Sequence, residues 1–363
     1  MSQPYGKTGS TSGWPRNFLR SLTSFDFSQL NVYAGIRAGV LITSLLIIGV
    51  FSNHIREATL AALGTIFFLQ GRTKQTLAIR TLILASVINA STFTIGSIIG
   101  TTYLAVPLLA IGLFIISYLG VYPNTAIIVM ISAVVFSIGV ALPGINNIPP
   151  GERFWLFLVG GLWGVLGAIT SLGWQLLKKN PAIEVVKPPV QAHLGSNPGV
   201  FDPLRSNMSM GSGHFQFAVS FAVLGAIGLL IAQGLGLMRG YWVLITVCVL
   251  LLRSHILVTF SFTAMLIIGT IGGAVIGSMI IANVHSIWSL VSLFVFTSIF
   301  YAVKNVNYAL AALFLTPFIL VFLNILIPGQ TLLAQTRILD TIIGAALSLL
   351  GVFSIWAFSY LKR

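Results

Sequence analysis

The sequence predicts an all-α polytopic membrane protein of about twelve transmembrane helices, built as two parallel six-helix repeats with a short second helix in each. Three observations predict it. Of 363 residues, 56% are hydrophobic and 7% charged, with a mean hydropathy of +0.99; no water-soluble domain of this size sustains such a composition. Apolar runs such as VLITSLLIIGVF (residues 40–51) lack the alternation that a membrane β-strand requires. The third observation is internal register. Arg72 and Arg253 differ by 181, as do Gly96 and Gly277, and Asn124 and Asn305, while Arg153, Gly160 and Gly167 match Arg337, Gly344 and Gly351 at an offset of 184. Six spans per half give both halves the same orientation, related by an axis along the membrane normal.

Residues 1–30 are polar and Gly/Ser-rich, with no cleavable-signal pattern, and read as a cytoplasmic tail. Trp14, Phe18, Leu22 and Phe25 share one helical face, so the tail is either a short helix on the inner leaflet or an unstructured arm. The first repeat, 31–178, is expected to hold spans at Val32–Phe51, Gln75–Gly100, Tyr103–Leu119, Tyr122–Leu142 and Phe154–Leu177, with the short segment Arg56–Lys74 second in order. Residues 179–213 form a proline-rich cytoplasmic linker. The second repeat, 214–363, places spans at Phe215–Leu237, Ile256–Ile281, Ile287–Tyr301, Tyr308–Ile327 and Ile338–Tyr360, again with a short second segment, Tyr241–Leu252.

The two short segments matter most. Arg56 to Arg72 is 16 residues and Arg239 to Arg253 is 14, so at 1.5 Å per residue they reach about 24 and 21 Å against roughly 30 Å of hydrocarbon. Undersized segments at matching places in two halves point to a binding site near the bilayer midplane. Each ends in arginine plus a hydroxyl, Arg72-Thr73 and Arg253-Ser254, and an arginine in hydrocarbon is costly unless it meets water, a partner or an anion. The hydroxyls and the free amides of the next helix would serve a negative group, and two such corners would make a cationic ring of the kind that selects anions. Equally, these charges fit a cytoplasmic turn. With the N-terminus inside, thirteen Lys and Arg fall on the cytoplasmic side and four outside.

Arg153 and Arg337 fall on the outer side, against that bias, and form a candidate second ring, or they snorkel to the outer surface. Asp340, three residues after Arg337, can neutralise it or carry a coupling proton. Lys304 is a further candidate on the path or an interfacial lysine, and Tyr241 and Trp242 are candidate stacking surfaces for an aromatic carboxylate. Arg37 reads as snorkelling. Trp155, Trp163, Trp242, Trp288 and Trp356 fit interfacial belts, and glycines four apart, such as Gly269, Gly273 and Gly277, fit close helix crossings.

Other functions are disfavoured by what is missing. The single cysteine, Cys248, excludes intrachain disulfides, and the five histidines show no metal-ligand spacing. No phosphate-binding loop is present, no catalytic constellation can be assembled from so few acids and histidines, and the net charge of +13 is spread between spans rather than gathered into a nucleic-acid patch. No cofactor and no enzymatic activity are expected.

The GYW and following threonine-containing run at Gly240–Val247, the arginine after it, FLTP at Phe314–Pro317 and RILDTIIGAAL at Arg337–Leu347 resemble the fusaric acid resistance family of aromatic acid exporters. More distantly, the six-span unit resembles plant aluminium-activated malate channels. The resemblance covers about 33–360 and is clearer in the second half; the first half lacks GYW and reads Arg56-Glu57-Ala58. It implies export or conduction of organic anions, in longer members sometimes with a periplasmic adaptor protein, and the first reading is a secondary exporter of the inner membrane that moves organic, chiefly aromatic, carboxylates outward along a cationic path between the two repeats. A passive anion channel and a non-transporting subunit that docks a partner are the alternatives. Oligomeric state is not legible.

Overall fold

The computed structural model describes residues 24–71, 79–122, 125–142, 147–177, 201–237, 241–251, 256–284, 287–326 and 332–361. Its helices are α1 (Val32–Phe51), α2 (Ile55–Gly71), α3 (Ile79–Ile99), α4 (Ala105–Tyr118), α5 (Ala126–Ala141), α6 (Pro150–Leu177), α7 (Asp202–Asn207), α8 (Gly213–Gly234), α9 (Tyr241–Leu251), α10 (Ile256–Asn283), α11 (Ile287–Val303), α12 (Tyr308–Leu326) and α13 (Leu333–Leu361). Seven of these are long and apolar enough to cross a bilayer, and four shorter apolar helices accompany them. The chain is a helical, multi-pass membrane protein.

Local chemistry sets the helix ends. Asn31 caps α1 by accepting from the Ala34 amide at 2.9 Å, one of the donors that the first turn leaves without an intrahelical partner. The turn after α1 passes through Asn53 and the turn after α8 through Gly236, at φ of 64° and 59°, and glycine and asparagine are the residues that enter this left-handed region most readily.

In the first set of helices α2 packs on α6, and α3 packs on α5 and α6; in the second α9 packs on α13, and α10 packs on α12 and α13. The sets are joined crosswise, α1 against α11 and α4 against α8, with α5 meeting α9 and α2 meeting α12 between them. Close crossing explains the glycines. A Cβ at Gly160 of α6 would collide with the Ala61 carbonyl of α2, and the same crossing is fastened by Thr65, whose hydroxyl donates to the Gly160 carbonyl at 2.8 Å. Outward faces carry Leu84, Ile111, Ile115, Leu166, Val275, Leu350 and Phe353, all exposed, which suits hydrocarbon and not water.

Several expectations change. In the second set the described part of the second helix, α9, is 11 residues, about 16 Å. In the first set α2 has 17 residues while α4 has 14 and α5 has 16, so α2 is not the shortest. The linker contains α7, six residues opened by Asp202-Pro203; at under two turns it shows no periodicity to read. The Tyr118 hydroxyl donates to the Leu204 carbonyl and ties α7 to α4. Trp155 and Trp288 are exposed as a belt requires, but Trp163 is half-buried with its indole N–H on the Leu41 carbonyl at 3.1 Å, and Trp242 is buried. Trp14, Phe18 and Leu22 lie outside the described residues.

Candidate functional site

The buried face of α6 recurs every third or fourth residue through Arg153, Phe157, Gly160 and Gly164, and that of α13 runs through Arg337, Asp340, Thr341, Gly344 and Ser348. The two arginines thus sit on the same stripes as the packing glycines. They are 4% and 3% exposed, each covered by a neighbouring helix.

Their surroundings differ. Arg153 donates from Nε to the Ile148 carbonyl at 2.6 Å and from Nη1 to Ser97 Oγ at 2.9 Å, clamping the turn before α6 to the last turn of α3, whose free carbonyls favour a cation. Glu152, beside it in sequence, is exposed. Arg337 lies over the indole of Trp242, its guanidinium carbon 3.9 Å from the ring centroid, so α13 and α9 are joined by a desolvated cation–π contact. The serine offset by 181 from Ser97, Ser278, turns its hydroxyl to the Ala274 carbonyl of its own helix, and the position offset by 181 from Trp242 is Ala61. Asp340 is one turn beyond Arg337 and 0% exposed. Trp242 is 5% exposed with Arg337 on its ring, so in this conformation it holds the protein's own cation and is not an open stacking surface. Tyr241 opens α9.

Lys304 belongs to a different place. It follows α11, with its ammonium 5.0 Å from the Tyr301 ring centroid, near Arg37 of α1. Arg72, Thr73, Arg253 and Ser254 lie outside the described residues, as do Lys74 and His255.

Where the sets meet, the described residues are packed. Ser137 of α5 lies 3.8 Å from the Cys248 sulfur of α9, and the Tyr301 hydroxyl of α11 donates to the Ile66 carbonyl of α2 at 3.1 Å. A small void opens instead within the first set, lined by Phe67 and Phe68 of α2, Leu82 and Asn89 of α3 and Ile131 of α5. Asn89 accepts from Ser132 at 2.9 Å, a polar contact between α3 and α5 that sequence reading missed. The signal was available: an asparagine midway along an apolar run is a polar group that must find a partner.

Residues 222–351, from α8 to α13, match the family model described as fusaric acid resistance protein-like. This stretch contains Trp242, Arg337 and Asp340. Among similar proteins, inner membrane protein YccS of Escherichia coli (strain K12) is 34% identical over 143 residues, 39% of this chain and 20% of YccS. Uncharacterized protein ORF2 of Neisseria gonorrhoeae is 28% identical over 169 residues, 45% of this chain and 39% of that protein. An uncharacterized protein of Haemophilus influenzae is 26% identical over 196 residues, 53% of this chain and 27% of that one. The chain therefore spans between a fifth and two fifths of these curated relatives. No solved structure matches.

Proposed function

We propose that this protein is a carrier of the inner membrane that moves organic anions, aromatic carboxylates foremost, out of the cell. The observation that carries the proposal is the pair Arg153 and Arg337: two guanidinium groups buried on the last helices of the two sets, in a membrane protein where a buried cation is expensive and marks a pathway. The fusaric acid resistance protein-like match of 222–351 supports the substrate class, since fusaric acid is itself an aromatic carboxylate.

In this reading the chain is a duplicated six-span unit, 31–178 and 214–363, joined by 179–213, with both termini in the cytoplasm. The parallel helix pairings of the two sets and their crosswise junctions support it. Arg72-Thr73 and Arg253-Ser254 form the inner ring of this reading and Arg153 and Arg337 the outer; Lys304 and Tyr241 are further candidates, and Trp242 can face a substrate only once its ring releases Arg337. Asp340 accepts the proton that couples transport, beside an arginine whose charge it relieves. The packed seam between α5 and α9 corresponds to a closed state, and passage requires those helices to part. No cofactor and no catalytic step enter, and a periplasmic adaptor is the partner that this reading allows.

The test is flux. Purified protein in proteoliposomes should take up labelled benzoate with a proton-gradient dependence, and Arg153→Gln and Arg337→Gln should each lower the rate at least about tenfold, the weight of one charge-assisted contact. Benzoate flux that persists unchanged in the double variant would remove the proposal.

A further inference from the structure

The N-terminal end of α1 and the C-terminal end of α11 meet at one of the two crosswise junctions, and a second concentration of positive charge is built there. Gly35 and Gly39 of α1 fit against Ser298 and Ala302 of α11 so closely that a Cβ on Gly35 would strike the Ser298 carbonyl. This brings Arg37, in the second turn of α1, toward Lys304, just past α11. The two charges interact: burial first, and Arg37 second, push the Lys304 ammonium down to about 8. Each cation has an aromatic ring beside it, Tyr33 at 5.9 Å from Arg37 and Tyr301 at 5.0 Å from Lys304.

The junction holds two cations and a single described carboxylate, that of Asp26, while the last carbonyls of α11 favour Lys304. Asp26 is held over the junction, its amide on the Val306 carbonyl at 3.1 Å; its exposed carboxylate accepts from the Ser28 amide and hydroxyl at 3.2 and 2.5 Å and keeps its charge. Arg37 Nε is buried without a hydrogen-bond partner among the described residues. The positive N-terminal end of α1 adds to the same field, where a cation is unfavourable and an anion is favoured. The fold does not demand this arrangement. At the other crosswise junction, the C-terminal end of α4 meets the N-terminal end of α8 through the rings of Phe114, Tyr118 and Phe215, with centroids 5.7 to 6.1 Å apart and no cation among them.

We propose that Arg37 and Lys304, with the N-terminus of α1, form a binding site for an oxyanion of the phosphate type. A lipid headgroup is the source that its setting favours: Val32, Tyr33, Ile36 and Val40, on either side of Arg37, are about half exposed along one apolar stripe, so acyl chains can lie against α1 while the phosphate reaches the cations. The site stands apart from the transport reading although Lys304 is shared, because it is a matter of binding and not of flux.

The experiment measures lipid retention. Full-length protein is extracted from vesicles containing equal phosphatidylglycerol and phosphatidylcholine, and bound lipid is counted by native mass spectrometry. The wild type should retain phosphatidylglycerol selectively; Arg37→Gln or Lys304→Gln should weaken retention about fivefold, and the pair about 25-fold, while Arg37→Lys and Lys304→Arg keep it, as a charge-based site requires. A parallel arm measures thermal protection by inorganic phosphate in neutral detergent. Protection that is lost in the glutamine pair, without selective lipid retention, supports the same oxyanion site filled from solution. If the glutamine pair retains phosphatidylglycerol like the wild type and phosphate protects neither or both equally, the site does not exist. Benzoate flux in the same variants is read separately, so failure of transport and failure of this site are distinct outcomes.

Discussion

Replacing Trp242 with leucine tests how Arg337 is kept in an apolar interior. The guanidinium sits 3.9 Å from the indole centroid with the two residues 3% and 5% exposed, so solvent weakens the contact little. A desolvated cation–π pair of this kind contributes roughly 2 kcal/mol, about thirtyfold in an equilibrium constant. Trp242→Leu also leaves unfilled volume, which adds a large-to-small penalty unrelated to Arg337. A double-mutant cycle separates the two, because the volume penalty is present with and without the arginine. Trp242→Leu, Arg337→Met and the double variant should show a coupling of about 2 kcal/mol in denaturant titrations of purified protein. Asp340, wholly buried one turn along, supplies a second arm. Arg337→Met leaves a buried carboxylate without its neighbouring positive charge, a loss of about 3–5 kcal/mol. Arg337→Met with Asp340→Asn should recover most of it. A coupling below about 0.5 kcal/mol, the ordinary scatter of independent sites, would refute the cation–π argument. Absence of recovery by Asp340→Asn would refute the electrostatic one.

Ser97→Ala removes the hydroxyl that holds Arg153 at 2.9 Å and should lower stability by about 1.5–3 kcal/mol, read as a drop in melting midpoint in detergent. Gly160→Val drives a side chain into the Ala61 carbonyl and should destabilise by about 1–3 kcal/mol or prevent insertion, whereas Gly151→Ala, with nothing within 4 Å, should stay within about 0.5 kcal/mol of wild type; equal melting of the two would remove the close-crossing account. Lys304 gives a pH signature. Its folded value of about 8 lies below the ordinary lysine value of about 10.4, so the unfolded chain binds more protons between those limits and stability rises with pH across that window, flattening below about pH 8. In Lys304→Met the rise should shrink; an unchanged melting-versus-pH curve would contradict it.

What the sequence determined by itself is the membrane class, the run of apolar helices and the identity of the costly residues. Composition settles the solvent, and the backbone must then satisfy its own hydrogen bonds, which leaves helices as the way through. Arg153, Arg337 and Asp340 were legible for the same reason: charge within an apolar run is an anomaly that needs no neighbours to be noticed. Packing glycines were legible as well, since their four-residue spacing is a property of one helix.

Partnership was not legible, because it is set by which helices touch. Only the tertiary structure decided that Arg337 takes the Trp242 ring while Arg153 takes Ser97 and a carbonyl, although the two arginines share a register in sequence. Trp242 read as an interfacial, ligand-facing ring because an indole's exposure is fixed by the opposing helix. Asn89 and Ser132, 43 residues apart, became a pair only through the packing of α3 on α5. Arg37 and Lys304 are 267 residues apart, and their shared field exists because glycines on α1 let α11 approach. Periodicity encodes a face, and the fold alone chooses what that face meets.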